Sequence, residues 1–285
     1  MARKLLSHLL ISVALFVLTA TFFMWTIDNR VLNPVTLSAE LRKAGVGQEL
    51  SDLMPEIVTA DNNATNEEKA DISSKISKAV TAEYVDGKIS QITDSVLTFV
   101  REGEPQPQID LSDFPQQLKA VGIEAEGDFA EGFEKPIEIN KEGKLDNIHN
   151  AYQIFSMVKY GGLILFAVLM LLEWYVAEKG QKLKRISRVF LYAGISYLIY
   201  WAALVIMPGR LTSTLQKSVQ ANYDTTGIIN AVLKAVQGLF SGYFLGFTIF
   251  CLGIAIVLYV IRHYRHGDVL PSSNSKAASK NSKKQ

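Results

Sequence analysis

Residues 154–176, IFSMVKYGGLILFAVLMLLEWYV, are followed by AEKGQKLKR (177–185) and then ISRVFLYAGISYLIYWAALVIM (186–207). This stretch decides the fold. A helix needs roughly 20 apolar residues to cross a hydrocarbon core about 30 Å thick, and both long runs have that length. Two more runs qualify, Leu5–Ile27 and Leu239–Ile261. In lipid only helices and closed barrels satisfy their own backbone hydrogen bonds, and runs this long and continuous are helical. The expected class is an all-α membrane protein, a four-helix transmembrane bundle. The first run continues through Phe22, Phe23, Met24, Trp25 and Ile27, past the poor cleavage position at Ala20. Residues 1–27 therefore read as a signal anchor rather than a cleaved signal peptide.

Charge sets the orientation. Net charge is only +1, yet residues 28–152 carry 24 Asp/Glu against 12 Lys/Arg. The remaining basic residues flank the apolar runs. Arg3 and Lys4 precede the first, Lys179, Lys182, Lys184, Arg185 and Arg188 lie between the second and third, and Arg262, Arg265 and the tail lysines follow the fourth. Short loops rich in Lys and Arg stay on the cytoplasmic side. If each run crosses once, all three basic segments share that side, with Lys179, Lys182, Lys184, Arg185 and Arg188 as the topology-determining set. A multi-pass protein of the cell membrane follows, its N- and C-termini cytoplasmic. Residues 28–153 and 208–238 then face outward, while 177–185 and 262–285 face inward. Trp25, Trp174, Tyr175 and Trp201 lie toward span ends, where amphipathic rings prefer the headgroup zone.

The acidic segment 28–153 reads as a mainly helical extracytoplasmic domain. Asn33-Pro34 marks a turn, with Thr36 or Ser38 as the expected cap of the next helix, and Leu41, Val46, Leu50 and Leu53 form a short amphipathic stretch. Thr65-x-x-Glu68 fits a capping box. Ile72, Ile76, Val80 and Tyr84 recur at helical spacing; Asp86-Gly87 is the expected break before a second stripe of Ile89, Ile92, Val96, Phe99 and Val100. Together they predict an αα-hairpin with facing apolar stripes. Glu104-Pro105-Gln106-Pro107 cannot be helical throughout. Ser112 is the expected cap of a short helix with Phe114, Leu118 and Val121, and Pro136–Ile139 alternates like a strand. From about Asp146 a helix is expected to run directly into the second span. In the outer loop, Leu211, Leu215 and Val219, then Ile228, Ile229, Val232 and Val236, predict helices that pack on the acidic domain. The tail from Pro271 has no apolar periodicity and reads as disordered.

Few residues stand out as sites. Gly238, Gly242, Gly246 and Gly253 form a glycine stripe on the fourth span, with Gly161-Gly162 as a counterpart on the second. Such stripes let helices approach closely; packing within the same bundle is the commoner use, and a homo-oligomer face is the alternative. Lys159 and Glu173 are candidate intramembrane polar residues. Lysine so close to a span end reads as snorkelling to the interface, with a partner or ion role as the alternative. Glu173 has Lys179 and Lys182 near it in sequence, and His8 is peripheral. The cluster Glu124, Glu126, Asp128, Glu131 and Glu134 departs from the calcium-loop pattern at Phe129 and reads as a solvated loop. Asn63-Ala64-Thr65 matches a glycosylation sequon. The lone Cys251 allows no intrachain disulfide, and the four histidines are too scattered for a metal cluster. There is no Gly-x-Ser-x-Gly elbow, His-Glu-x-x-His motif, phosphate-binding loop or paired intramembrane aspartate. Neither a catalytic role, a metal, a cofactor nor a nucleic-acid partner is expected.

Val31-Leu32-Asn33-Pro34, the stretch from Tyr84 to Phe99, and Ile109-Asp110-Leu111-Ser112 stand in a recognisable order before three further spans. In this the chain resembles uncharacterised bacterial four-span membrane proteins with a large extracytoplasmic loop between helices 1 and 2. The resemblance implies topology and carries no known activity or site. The expected role is non-enzymatic, with an acidic domain held outside the cell to bind or scaffold an envelope component. Its partners would be the lipid bilayer and another envelope protein. The alternative is a small oligomeric channel or transporter with the acidic domain at its mouth.

Overall fold

The computed structural model describes residues 2–60, 65–123, 133, 135–178, 180–206 and 224–266. Its helices are α1 (Ala2–Thr26), α2 (Pro34–Ala44), α3 (Val46–Ala60), α4 (Asn66–Ala79), α5 (Ala82–Glu102), α6 (Phe114–Ala120), α7 (Lys144–Val176), α8 (Lys182–Ile206) and α9 (Thr226–His266). One π-helical turn, Ile27–Val31, prolongs α1. Four stretches are long and apolar enough to cross a bilayer: Arg3–Val31, Lys144–Val176, Lys182–Ile206 and Thr226–Tyr264. The chain is an all-α multi-pass membrane protein. Met207 at the end of the third span, Lys179, Asn63, the cluster from Glu124 to Glu134, the Leu211–Val219 stripe and the tail lie outside the described residues.

Between α1 and α7 the chain builds a helical cap at one end of the bundle, and local chemistry sets its breaks. Asn33, rather than Thr36 or Ser38, caps α2: its side chain accepts from the Thr36 N–H at 3.1 Å, and Pro34 supplies a preset φ at the first position. Gly45, at φ 85°, ends α2 in the left-handed conformation and splits the Leu41–Leu53 stretch into two helices. Thr65 and Glu68 form the expected capping box. The next break falls at Val80-Thr81, not at Asp86-Gly87. The Thr81 hydroxyl accepts from the Tyr84 N–H at 3.2 Å, and this cap starts a helix that carries Asp86 and Gly87 in its interior. α4 and α5 each pack against α3 instead of forming a simple hairpin. Ile76, Ala79, Val80, Val85 and Leu118 form the buried centre, flanked by Leu50, Ile72 and Phe114. Asp113, with no side-chain cap bond, precedes α6 where Ser112 was expected to cap. The strand-like Ile137–Glu138 does pair, antiparallel, with Gln108–Ile109, Ile109 opposite Ile137.

The bundle core joins Ile11, Ala14 and Leu18 of α1, Leu169 of α7, Val189, Ala193 and Tyr197 of α8, and Phe244, Phe247 and Cys251 of α9. Tyr197 is fully buried; its hydroxyl donates to the Thr19 carbonyl at 2.7 Å, which satisfies the one polar atom the ring brings into the core. Phe22 stacks on Phe247 and meets Tyr197 edge-on, so aromatic side chains bridge α1 to α8 and α9. α8 and α9 approach closely at Gly194, where a Cβ would stand 3.1 Å from Leu252. α9 runs unbroken for 41 residues. Residues 226–238, expected as a helix of the outer segment packing on the acidic domain, do pack on α2 and α3, but as the first turns of the fourth span's own helix.

α1 and α7 meet at Gly162, where a Cβ would collide with the Thr21 hydroxyl; at Gly161 a Cβ would meet nothing within 4 Å. Gly162→Val should therefore destabilise the detergent-solubilised protein by about 1–3 kcal/mol, the usual cost of overpacking. Gly161→Val should leave the thermal midpoint close to wild type. Equal midpoints for the two variants would contradict this packing.

Candidate functional site

The first ionic junction lies where the cap meets the bundle. The π turn places Asp28 just past α1, and its side chain is 7% exposed. Lys159 of α7 donates its ammonium to Asp28 Oδ2. The Tyr152 hydroxyl, two turns earlier on α7, donates to Oδ1 at 3.0 Å. Arg101, in the last turn of α5, reaches the same Oδ1 at 3.6 Å and donates from Nε to the Tyr152 oxygen at 3.4 Å. That hydrogen bond, with a smaller contribution from Asp28, raises the Arg101 pKa. One carboxylate thus ties three elements together. Trp25 and Tyr160 present their ring faces to the Lys159 ammonium at 5.3 and 4.5 Å. His149 adds a link between α7 and α5, its Nδ1 3.0 Å from the Val100 carbonyl oxygen.

Lys159 is therefore not a snorkelling lysine. It is 3% exposed, and its stem ends on a carboxylate instead of in water. The clue available in the sequence was an acid of opposite sign just beyond Trp25, at the same end of the neighbouring span. Tyr152 and Arg101 had no comparable signal.

The second junction lies at the other end of the same helix pair. Glu173 is 1% exposed; it accepts from the Ser7 hydroxyl of α1 and stands 3.5 Å from Arg185 Nη1 of α8. Its other oxygen, Oε2, is buried without a hydrogen-bond partner among the described residues. Arg3 donates to the Val176 carbonyl at 2.7 Å. Of the two lysines near Glu173 in sequence, Lys179 lies outside the described residues. Lys182 lies over the Trp174 ring at 5.1 Å, and the partner is Arg185, drawn from the set assigned to topology. Lys182, Lys184 and Arg188 stay partly exposed. Along α7 the two charged residues are about 21 Å apart at 1.5 Å per residue. The hydrocarbon layer is about 30 Å thick, so both start within it and both are neutralised inside protein.

The glycines divide. At Gly238 a Cβ would collide with the Glu40 carboxylate of α2, and at Gly227 with that of Glu49 of α3, so these two let the cap lie against α9. Gly242, Gly246 and Gly253 have nothing within 4 Å of a Cβ, which contradicts packing of that stripe within the described bundle. Gly242 and Gly246 instead border a shallow groove of about 460 Å³ with Phe22, Tyr243, Phe247 and Phe250. Among the described residues no cluster of three or more His, Cys, Asp or Glu could hold a metal ion.

Compared with known proteins, the chain matches no family model, no curated protein and no solved structure. What the fold and its paired intramembrane charges define is a class: a multi-pass, all-α membrane protein with a helical cap.

Removing one partner of a buried pair typically costs about 3–5 kcal/mol because the other charge is left unpaired. Asp28→Asn and Lys159→Met should each lower stability by that order, while the double variant should recover at least about half of either loss. A double-mutant cycle by thermal unfolding in detergent checks this, and strictly additive losses would exclude the pairing.

Proposed function

We propose that the protein is a non-enzymatic scaffold of the cell membrane, whose acidic cap stands outside the cell and binds another envelope component. The observation that carries this reading is the way the cap is held. Asp28, Arg101, Tyr152 and Lys159 lock it to α1 and α7, and α9 continues out of the bundle to lie against α2 and α3. A surface presented to a partner in fixed orientation needs such an attachment; a flexible tether would not need a buried ionic network.

Charge supports the orientation. The Arg3, Glu173–Arg185 and Ser187–Ala255 contacts gather the basic ends of α1, α7, α8 and α9 at one end, opposite the cap. Basic segments favour the cytoplasm, so both termini lie inside and the cap outside. The interior between the two ionic junctions is filled by Phe22, Tyr197, Phe244 and Phe247, and this favours a scaffold over a solute path through a single chain.

Two measurements test the reading. In a Cys251→Ala background, Glu83→Cys should react with a membrane-impermeant maleimide in intact cells, and Lys182→Cys only after lysis; labelling of both from one side would overturn the orientation. Photo-crosslinkers at Lys78 and Glu83, both on the cap surface, should capture a discrete envelope protein that lipid-facing positions on α7 do not. The absence of any cap-specific adduct would remove the scaffold reading.

A further inference from the structure

An apolar cavity of about 580 Å³ opens between α1, α8 and α9, with Ala20, Phe23, Tyr200, Ala203, Leu204 and Leu233 among its walls. Its size is that of a small-molecule site. All three helices are spans, and Phe23 and Tyr200 remain 43% and 51% exposed, so in a bilayer this hollow opens onto lipid. Gln237 of α9 forms part of its wall and also lines a second, more polar cavity of about 240 Å³ between α9 and α2. Glu40, Lys43, Lys234 and Ser241 are in that second lining.

Gln237, the wall the two cavities share, lies at the headgroup edge. From Ser241 to Ile261, the end of the apolar run, α9 rises about 30 Å, the thickness of the hydrocarbon layer. The Trp201 indole donates to the Ser241 hydroxyl at 3.1 Å, an aromatic group at the depth such groups prefer. Charge at the mouth is positive. Arg30 stands 3.9 Å from Glu40 and is held there by the Leu239 carbonyl and the Tyr243 ring. Lys43 is also 3.9 Å from Glu40, but 77% of its side chain is exposed. Lys234 is exposed and forms no ion pair among the described residues. Among the described residues Glu40 is thus the one carboxylate in this lining, against Lys43 and Lys234 there and Arg30 paired to it from beside the cavity.

We propose that this pair of cavities binds one anionic glycerophospholipid, an acyl chain in the apolar hollow and the phosphate between Lys43 and Lys234. An apolar volume at bilayer depth that shares its Gln237 wall with a cationic cavity at the headgroup edge has the shape and charge pattern of such an amphiphile. The inference rests on the membrane fold alone and stands whether or not the cap is a scaffold.

Native mass spectrometry of the full chain tests it, after incubation in detergent with equal phosphatidylglycerol and phosphatidylcholine of identical acyl chains. Wild type should retain one lipid per chain, phosphatidylglycerol over phosphatidylcholine by about tenfold, given the attraction of two near-surface lysines for anionic lipid. Lys43→Gln with Lys234→Gln should bring the ratio close to one, while Lys75→Gln on α4 should leave it unchanged. Ala203→Trp or Ala20→Trp should fill the hollow and lose both lipids. Equal retention of the two lipids by wild type overturns the proposal, as does undiminished retention by a folded tryptophan variant. Should both tryptophan variants fail to fold, the lysine pair decides: a preference unaltered by its removal overturns the proposal.

Discussion

A lysine one turn inside an apolar helix cannot leave its charge in hydrocarbon, and much of this molecule is arranged around that constraint. The Lys159 ammonium finds Asp28, and to present Asp28 the chain winds one π turn at the end of α1. Because an isolated carboxylate would be equally costly there, Tyr152 and Arg101 complete its shell. Arg101 belongs to the cap, so the same interaction that allows α7 to carry a charge also orients the cap on the bundle. Burial of Phe99 and Val100 beside Arg101 adds apolar contact to that joint.

The opposite end follows the same rule with other residues. Ser7, Glu173 and Arg185 close α1, α7 and α8 against one another, one oxygen of Glu173 remaining without a partner among the described residues. Between the two closures the bundle relies mainly on packing, with the Tyr197 hydroxyl donating to the Thr19 carbonyl. Tyr197 fills its centre, and Gly162 and Gly194 bring helices together where a larger residue would hold them apart. α9, like α7, serves both halves, its lower turns in the core and its upper turns beneath the cap.

Sequence reading was most reliable where the deciding physics is local. Hydrocarbon thickness and backbone desolvation select the four spans, and the described part of each falls within a segment that can cross a bilayer. The Thr65–Glu68 capping box needs only its own four residues and is present. The break after Val80 was missed because a side-chain cap at Thr81 outweighs the weaker signal of an Asp-Gly pair, which helix α5 absorbs. The first turns of α9, expected as a helix of the outer segment, join the fourth span because the polar residues between them interrupt the hydropathy but not the backbone.

By itself the sequence determined that the chain is helical, that four segments enter the membrane, and which ends carry positive charge, since hydropathy and charge sum along a segment without reference to distant residues. Tertiary structure alone decided what the intramembrane charges and glycines do. Asp28 and Lys159 are 131 residues apart, Ser7 and Glu173 166. Gly238 makes room for Glu40, while Gly242 and Gly246 face outward from the described bundle. A buried charge or a missing side chain has no meaning until another element is placed beside it, because its energy depends on what has replaced water around it.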